Sequence, residues 1–361
     1  MSPLEVELRA MISASGPIPV SRYMALCLSH PEHGYYTNRD PFGRAGDFVT
    51  APEISQMFGE LVGLWAAEVW RQMGSPPAVR LIELGPGRGT MMADALRAAR
   101  ALPAFRSALS VHLVETSQAL ERRQRETLAA CGTPITWHRA LAEVPVGAAI
   151  IFANEFFDAL PVHQAIRGAQ GWHERVVGLD HEGRLAFAIA PVPSPPIAHM
   201  PQRLDTTAPP GAIFEWRCAD AICALAARVA RDGAALIIDY GHTDSGLGDT
   251  LQAVRGHRFV DVLVEPGEVD LTAHVDFAAL RADAEQAGAQ VYGPIDQGLF
   301  LQRLGIAQRA ARLQAAAPTK ADAIDAALAR LTGPGPTGMG RLFKALALCD
   351  PTLGPLPGFD P

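Results

Sequence analysis

Apolar residues fall along this chain in two alternating rhythms: short, nearly continuous runs, and longer stretches in which they recur at three- and four-residue steps. The runs Val79–Leu84, Ser110–Val114, Ile135–Trp137 and Ala149–Ala153 predict strands, and Thr90–Ala101 and Ser117–Ala130 predict helices between them. Strands joined through helices pair in parallel and are covered on both faces, so the fold class is α/β with a doubly wound, mostly parallel sheet. The alternation resumes with a helix over Asp220–Arg231, a strand over Ala235–Asp239, a helix over Phe277–Ala287 and a strand over Gln290–Tyr292. Ahead of it all, Ile54, Met57, Phe58, Leu61, Trp65 and Val69 trace one helical face across Pro52–Met73, with Thr50 and Glu53 placed as a T-x-x-E capping box.

Three segments depart from the alternation. Glu32–Val49 is rich in glycine and aromatic residues and has no period; Gly34–Glu53 is expected to form an ordered lid. Trp172–Val177 and Arg184–Ile189 predict a hairpin across Asp180–Gly183, followed by the proline-rich run APVPSPPIAHMPQ. Leu299–Leu348 reads as alanine- and leucine-rich helices. The expected organisation is therefore an N-terminal helical region with the lid (1–74), a core in two pieces (75–161 and 211–298), a hairpin insert (162–210) and a C-terminal helical region (299–361).

Composition narrows the function. With 48% hydrophobic and 19% charged residues the chain is globular. The 31 lysines and arginines against 38 aspartates and glutamates leave a net charge of −7, which supplies no basic field for nucleic acid. No apolar run approaches the ~20 residues of a membrane span. The opening MSPLEVELRAMIS carries two glutamates and reads as a folded beginning instead of a secretion signal. Cys27, Cys131, Cys218, Cys223 and Cys349 form no C-x-x-C pair, which argues against a disulfide framework or a zinc site, and a cytoplasmic setting is expected.

The sharpest chemical signal is Glu83-Leu84-Gly85-Pro86-Gly87-Arg88-Gly89-Thr90, where an apolar strand ends in E-x-G-x-G-x-G and opens a helix. Glycines let the backbone approach a ligand, and the helix start offers unpaired N–H groups. A dinucleotide fingerprint would read G-x-G-x-x-G. The spacing here, with a carboxylate just before it, suits S-adenosylmethionine, whose methionine end needs an acceptor for its ammonium and donors for its carboxylate. Glu115, at the end of the next strand, is placed to accept ribose hydroxyls. After the third strand comes His138-Arg139-Ala140-Leu141, with no acidic residue for the adenine.

In such a sheet the ligand lies outside the carboxyl ends of the strands, so Asn154-Glu155-Phe156-Phe157-Asp158 after the fourth strand should face the reacting group. Asparagine followed by two aromatic residues is similar to the loop of enzymes that methylate planar nitrogen. Glu155 and Asp158 could clamp a guanidinium fork; a plain turn capped by Asp158 with both phenylalanines in the core is the alternative. His242, His257 and His274 are candidate bases, and Asp270, His274 and Asp276 are too loosely grouped for a metal, so none is expected. Thr272 or Asp276 is expected instead to cap the helix that follows.

Taken together, GYYT, FGRAGDFVTAPEISQMFGE, ELGPGRGTMMADALR, ANEFFDALPVHQ, ALIIDYG, DLTAHVDF, QGLFLQRLGI and MGRLFKAL resemble the MidA-type methyltransferases, a family that includes the mitochondrial complex I assembly factor methylating protein arginine. The resemblance implies a class I, Rossmann-like S-adenosylmethionine fold and symmetric dimethylation of an arginine in a quinone-module subunit of respiratory complex I. Carried over by position, it implies that Glu83, Gly85, Gly87, Gly89 and Thr90 hold the methionine half of the cofactor. Glu115 would take the ribose and Asn154 the side near the sulfonium, with Asp47, Phe48, Thr50 and Glu53 folding over as a lid. The expected partner is a protein substrate, with neither nucleic acid nor membrane span, and a homodimer is compatible. A small-molecule or oxygen methyltransferase, or a non-catalytic assembly chaperone that keeps the cofactor pocket, are the competing readings.

Overall fold

The computed structural model describes residues 1–38, 50–169, 171–194, 197, 200–256, 258–335 and 337–359. The chain forms two compact units, one of Met1–Phe48, Asp158–Cys218 and Asp244–Ala279, the other of Val49–Phe157, Ala219–Thr243 and Leu280–Pro361. This division runs differently from the four segments expected from the sequence pattern, because each unit is assembled from three separated stretches.

The strands that the second unit contributes to its sheet are β1 (Val79–Leu84), β2 (Leu109–Val114), β3 (Ile135–His138), β4 (Ala149–Asn154), β5 (Gly233–His242), β6 (Gln290–Asp296) and β7 (Phe343–Cys349). Their order is β3-β2-β1-β4-β5-β7-β6, parallel from β3 to β5, with β7 antiparallel to both β5 and β6. This is the doubly wound α/β sheet that the alternation predicts. Its central strands are apolar because both faces are covered; every residue of β4 except Asn154 is buried.

β7 corrects the expectation of an all-helical C-terminus. Phe343–Cys349 is buried at every position and pairs Ala234 to Tyr240 of β5 with Cys349 to Phe343. A strand sealed on both faces loses the two-residue alternation by which a strand is recognised, and Phe-Lys-Ala-Leu-Ala-Leu-Cys carries good helix formers.

The register sets the carboxyl ends level. Leu84 of β1 lies beside Val114 of β2 and Ala153 of β4, and Asn154 lies beside Ile238 of β5. Strand order reverses between β1 and β4, which opens the crevice where such sheets bind ligands.

The helix expected over Pro52–Met73 is two helices, α1 (Ala51–Ile54) and α2 (Gln56–Gln72). Ser55, at φ −162°, breaks the run and caps α2 by accepting the Met57 N–H at 3.2 Å. Thr50 makes no side-chain capping bond, so the T-x-x-E box does not form. α2 lies hard against α3 (Thr90–Ala99): a Cβ on Gly63 would stand 2.6 Å from Ala95 Cα. Buried Glu60 of α2 accepts from Arg97 Nε of α3 at 3.1 Å and from Arg309 Nε of the helix Ile306–Ala316 at 2.6 Å. These contacts hold α3, the helix that follows the glycine-rich turn.

The first unit holds an antiparallel sheet in the order Ile18–Pro19, Gly171–Leu179, Val162–Gly168, Ile213–Arg217, with Leu185–Pro193 also on Gly171–Leu179. The last pairing is the expected hairpin. A second sheet of Arg258–Val260, Gln252–Arg255 and Asp270–Thr272 and the helices Pro3–Ser15 and Val20–Ser29 share a core of Leu4, Leu8, Tyr23, Met24, Val177 and Leu271. Asp276 accepts the Ala279 N–H at 3.0 Å and so caps the helix beginning at Phe277. No helix among the described residues is long and apolar enough to cross a membrane.

The α2–α3 contact yields a test. Gly63→Val forces branched carbons into the Ala95 backbone and is expected to destabilise the protein by about 2–3 kcal/mol, measured as a lower urea midpoint at unchanged slope.

Candidate active site

The glycine turn begins where β1 ends. Gly85, Gly87 and Gly89 all have positive φ, at 60°, 54° and 80°, values that penalise any side chain. Gly89 is the N-cap of α3, so the first N–H groups of that helix face the turn.

Glu83 sits just before it, facing inward from the middle of the sheet, 3% exposed. Its Oε2 has no hydrogen-bond partner among the described residues. Burial pushes its carboxyl up to about 8. An acceptor sealed in this way asks for a cationic donor, which is what an α-ammonium group supplies.

Glu115, at the end of β2, is also buried, and its carboxyl is raised by burial against the opposing pull of its donors. One oxygen accepts the Ser117 N–H at 2.8 Å and the other accepts Gln124 Nε2 at 3.0 Å. A carboxylate offers about four acceptor directions, which leaves room for a pair of hydroxyls. Gln124 was not singled out from the sequence, yet it is fully buried and joins the site together. Its Nε2 also donates to Gly87 O at 2.8 Å, and its Oε1 accepts Trp137 Nε1 at 2.9 Å. Only a fold that sets helix Gln118–Leu128 beneath the glycine turn reveals this; in the sequence it is one glutamine among charged helix residues.

After β4 the backbone turns abruptly. The Glu155 N–H still bonds Ile238 O at 2.8 Å, but Glu155 itself has φ 50°, a left-handed value that costs a non-glycine residue about 1–3 kcal/mol. The next two N–H groups, of Phe156 and Phe157, both donate to Asp239 Oδ2, at 3.1 and 2.9 Å. Asn154 Nδ2 donates to Glu155 Oε1 at 3.2 Å, and Asn154 Oδ1 is buried without a partner among the described residues. Glu155 Oε1 also accepts the Ala51 N–H at 3.1 Å, so this carboxylate holds the start of α1. Phe156 reaches back over the glycine turn: its ring lies 3.1 Å from where a Cβ on Gly85 would stand.

Glu53 does not close a capping box. Its Oε1 accepts the Thr90 hydroxyl at 2.5 Å and its Oε2 lies 4.0 Å from Arg88, tying α1 to the glycine turn. Of the remaining expected residues, Asp47, Phe48 and His257, with most of the lid, lie outside the described residues. Asp158 belongs to the other unit, where its carbonyl accepts the Ala273 N–H at 3.1 Å and Arg217 at 3.3 Å. The structure thus brings Glu83, Gly85, Gly87, Gly89, Thr90, Glu115, Asn154, Glu155, Thr50 and Glu53 into one unit.

Known proteins resemble this chain in sequence and in fold. A family model described as S-adenosyl-L-methionine-dependent methyltransferase matches residues 61–295. A Drosophila melanogaster protein named protein arginine methyltransferase NDUFAF7 homolog, mitochondrial, is 39% identical over 96% of this chain and 84% of its own length. The Homo sapiens protein arginine methyltransferase NDUFAF7, mitochondrial, is 40% identical over 85% of this chain and 74% of its own. A Burkholderia thailandensis protein crystallised with S-adenosyl-homocysteine is 32% identical, with a TM-score of 0.85 over 99% of this chain and 92% of that one. The mitochondrial names of the sequence relatives overturn the cytoplasmic setting expected from composition; scattered reduced cysteines do not separate one reducing compartment from another.

Two outcomes follow from the geometry. Gly87→Val places a branched side chain at φ 54° and is expected to abolish S-adenosylhomocysteine binding in a folded protein, read by calorimetry. Glu83 binds its proton more tightly folded, at about 8, than at its ordinary 4.5, so its contribution to stability is full below 4.5 and is lost as pH rises through 8. The ligand-free wild type should lose stability over that window relative to Glu83→Gln; parallel curves would remove the buried carboxyl from the account.

Proposed function

We infer that this chain, which belongs to the family of S-adenosyl-L-methionine-dependent methyltransferases, transfers methyl groups to an arginine side chain of a protein. S-adenosyl-L-methionine is its cofactor. The observation that carries the reading is the sealed oxygen of Glu83, without a hydrogen-bond partner among the described residues, beside a turn of three positive-φ glycines at the switch point of the sheet. The relatives named as arginine methyltransferases support the choice of acceptor.

The site residues divide the work as follows. Glu83 would hold the ammonium of the methionine end, and the N–H groups at the start of α3 its carboxylate. Glu115, steadied by Ser117 and Gln124, would take the ribose hydroxyls. When bound, the cofactor supplies an electrophilic methyl group on a sulfonium. Asn154 and Glu155 would face the acceptor, Asn154 Oδ1, which has no partner among the described residues, accepting one guanidinium N–H and the Glu155 carboxylate gripping the fork. A carboxylate on the far nitrogens draws the positive charge toward itself and leaves electron density on the attacking nitrogen. The barrier falls by orientation and by exclusion of water. This reading rests the clamp on Glu155 and assigns Asp158 no part in it.

The acceptor is proposed to be an arginine of a quinone-module subunit of respiratory complex I, modified symmetrically during assembly. The reading requires a protein substrate and no second copy of this chain.

Glu155→Gln keeps the size of the side chain and removes its charge. It is expected to leave cofactor affinity unchanged and to slow transfer on the order of tenfold to a hundredfold. Mass spectrometry of complex I from cells carrying wild type, the variant or no copy of this protein reads the arginine marks. Full methylation by the variant would sink the clamp, and absence of the mark with wild type would sink the acceptor.

A further inference from the structure

We propose that Asp239 is a positioning residue for methyl transfer: its carboxylate folds the Asn154–Phe157 turn and so sets the acceptor face of the site. The proposal rests on the methyl-transfer reading above and adds a residue to it.

Asp239 is fully buried near the carboxyl end of β5, one residue beyond Ile238. Three N–H groups donate to it: those of Phe156 and Phe157 to Oδ2, at 3.1 and 2.9 Å, and that of Tyr240 to Oδ1, at 2.9 Å. Successive backbone N–H groups converging on one anion form a nest. With the Glu155 N–H on Ile238 O, the chain leaving β4 is pinned at three consecutive residues by two consecutive residues of β5. That pinning accounts for the left-handed φ of 50° at Glu155, which no local preference of glutamate would produce.

The consequences fall on the acceptor side of the reaction, at the edge of the cofactor turn. Upstream of the nest, Asn154 and Glu155 are linked through Oε1, which also receives the Ala51 N–H. Within it, Phe156 lays its ring 3.1 Å from the Cβ position of Gly85, over the cofactor turn. The Glu155 and Phe156 side chains leave the backbone at adjacent residues, so a shift of the turn moves both. A displacement on the scale of an ångström in such a site costs about a hundredfold in rate.

Asp239→Asn tests this. An amide has one acceptor oxygen, so its NH2 must face either the Phe156 and Phe157 donors or that of Tyr240. The variant is expected to bind S-adenosylhomocysteine within about threefold of wild type and to lose about a hundredfold in kcat, with a smaller change in KM for the protein acceptor. Amide exchange at residues 155–157, followed in the S-adenosylhomocysteine complex, is expected to accelerate by a similar factor; it reads the turn with no acceptor present. A wild type that methylates no arginine would count against the acceptor reading, and exchange would still decide the role of Asp239. The proposal is overturned by unchanged exchange, by transfer within threefold of wild type, or by loss of cofactor affinity in proportion to transfer, which would mark a purely structural residue. If Asp239→Asn does not fold, Asp239→Glu carries the test. It keeps the charge and the acceptors but pushes the nest outward, so kcat should fall about tenfold with cofactor affinity retained; wild-type kcat would overturn the proposal.

Discussion

An ionisable oxygen sealed inside a sheet, with no hydrogen-bond partner among the described residues, is the constraint around which this site is organised. Glu83 lies on the central strand β1, flanked in register by Leu113 and Phe152, and its neighbours give its Oε2 no hydrogen bond among the described residues. Charging it there is unfavourable, which is why its proton is held to about 8. A ligand that brings an ammonium group to this place reverses the balance. The doubly wound sheet puts that oxygen beside a turn where backbone N–H groups are also offered, so a single ligand with both charges is selected by position.

The other carboxylates of the unit behave differently because protein donors already engage them. Asp239 takes three backbone N–H groups, Glu53 takes the Thr90 hydroxyl, and Glu155 takes the Ala51 N–H and the Asn154 amide. Glu115 is intermediate, steadied by Ser117 and Gln124 but with directions to spare. The degree to which the fold satisfies each acid separates Asp239 and Glu53, which shape the site, from Glu83, which is left to bind in it.

Much of this was legible in the sequence. β1 falls where its apolar run ends, and β2, β3 and β4 differ from expectation by a residue, because strands covered on both faces announce themselves as short apolar runs between turn signals. The glycine turn was legible too, since only glycine serves at φ 60°, 54° and 80°. What failed depended on the third dimension. The capping box of Thr50 and Glu53 does not form, because Glu53 is drawn to Thr90 of α3, far away in sequence, and Ser55 caps a second helix that the pattern runs together with the first. Phe343–Cys349 was taken for helix, because only pairing with β5 and β6 makes it a strand. Gln124 and Asp239 were not given their parts, since a buried amide or acid shows its role only through partners brought to it by other strands and helices.

The central claim is that Glu83 is an acid in the ligand-free protein and a carboxylate against an ammonium in the complex. Calorimetry of S-adenosylhomocysteine binding at pH 7, repeated in buffers of different ionisation enthalpy, counts the protons exchanged. A carboxyl held at about 8 should release close to one proton on binding, and Glu83→Gln should abolish that release. Binding of the wild type with no proton released, or with the same release from Glu83→Gln, would contradict it.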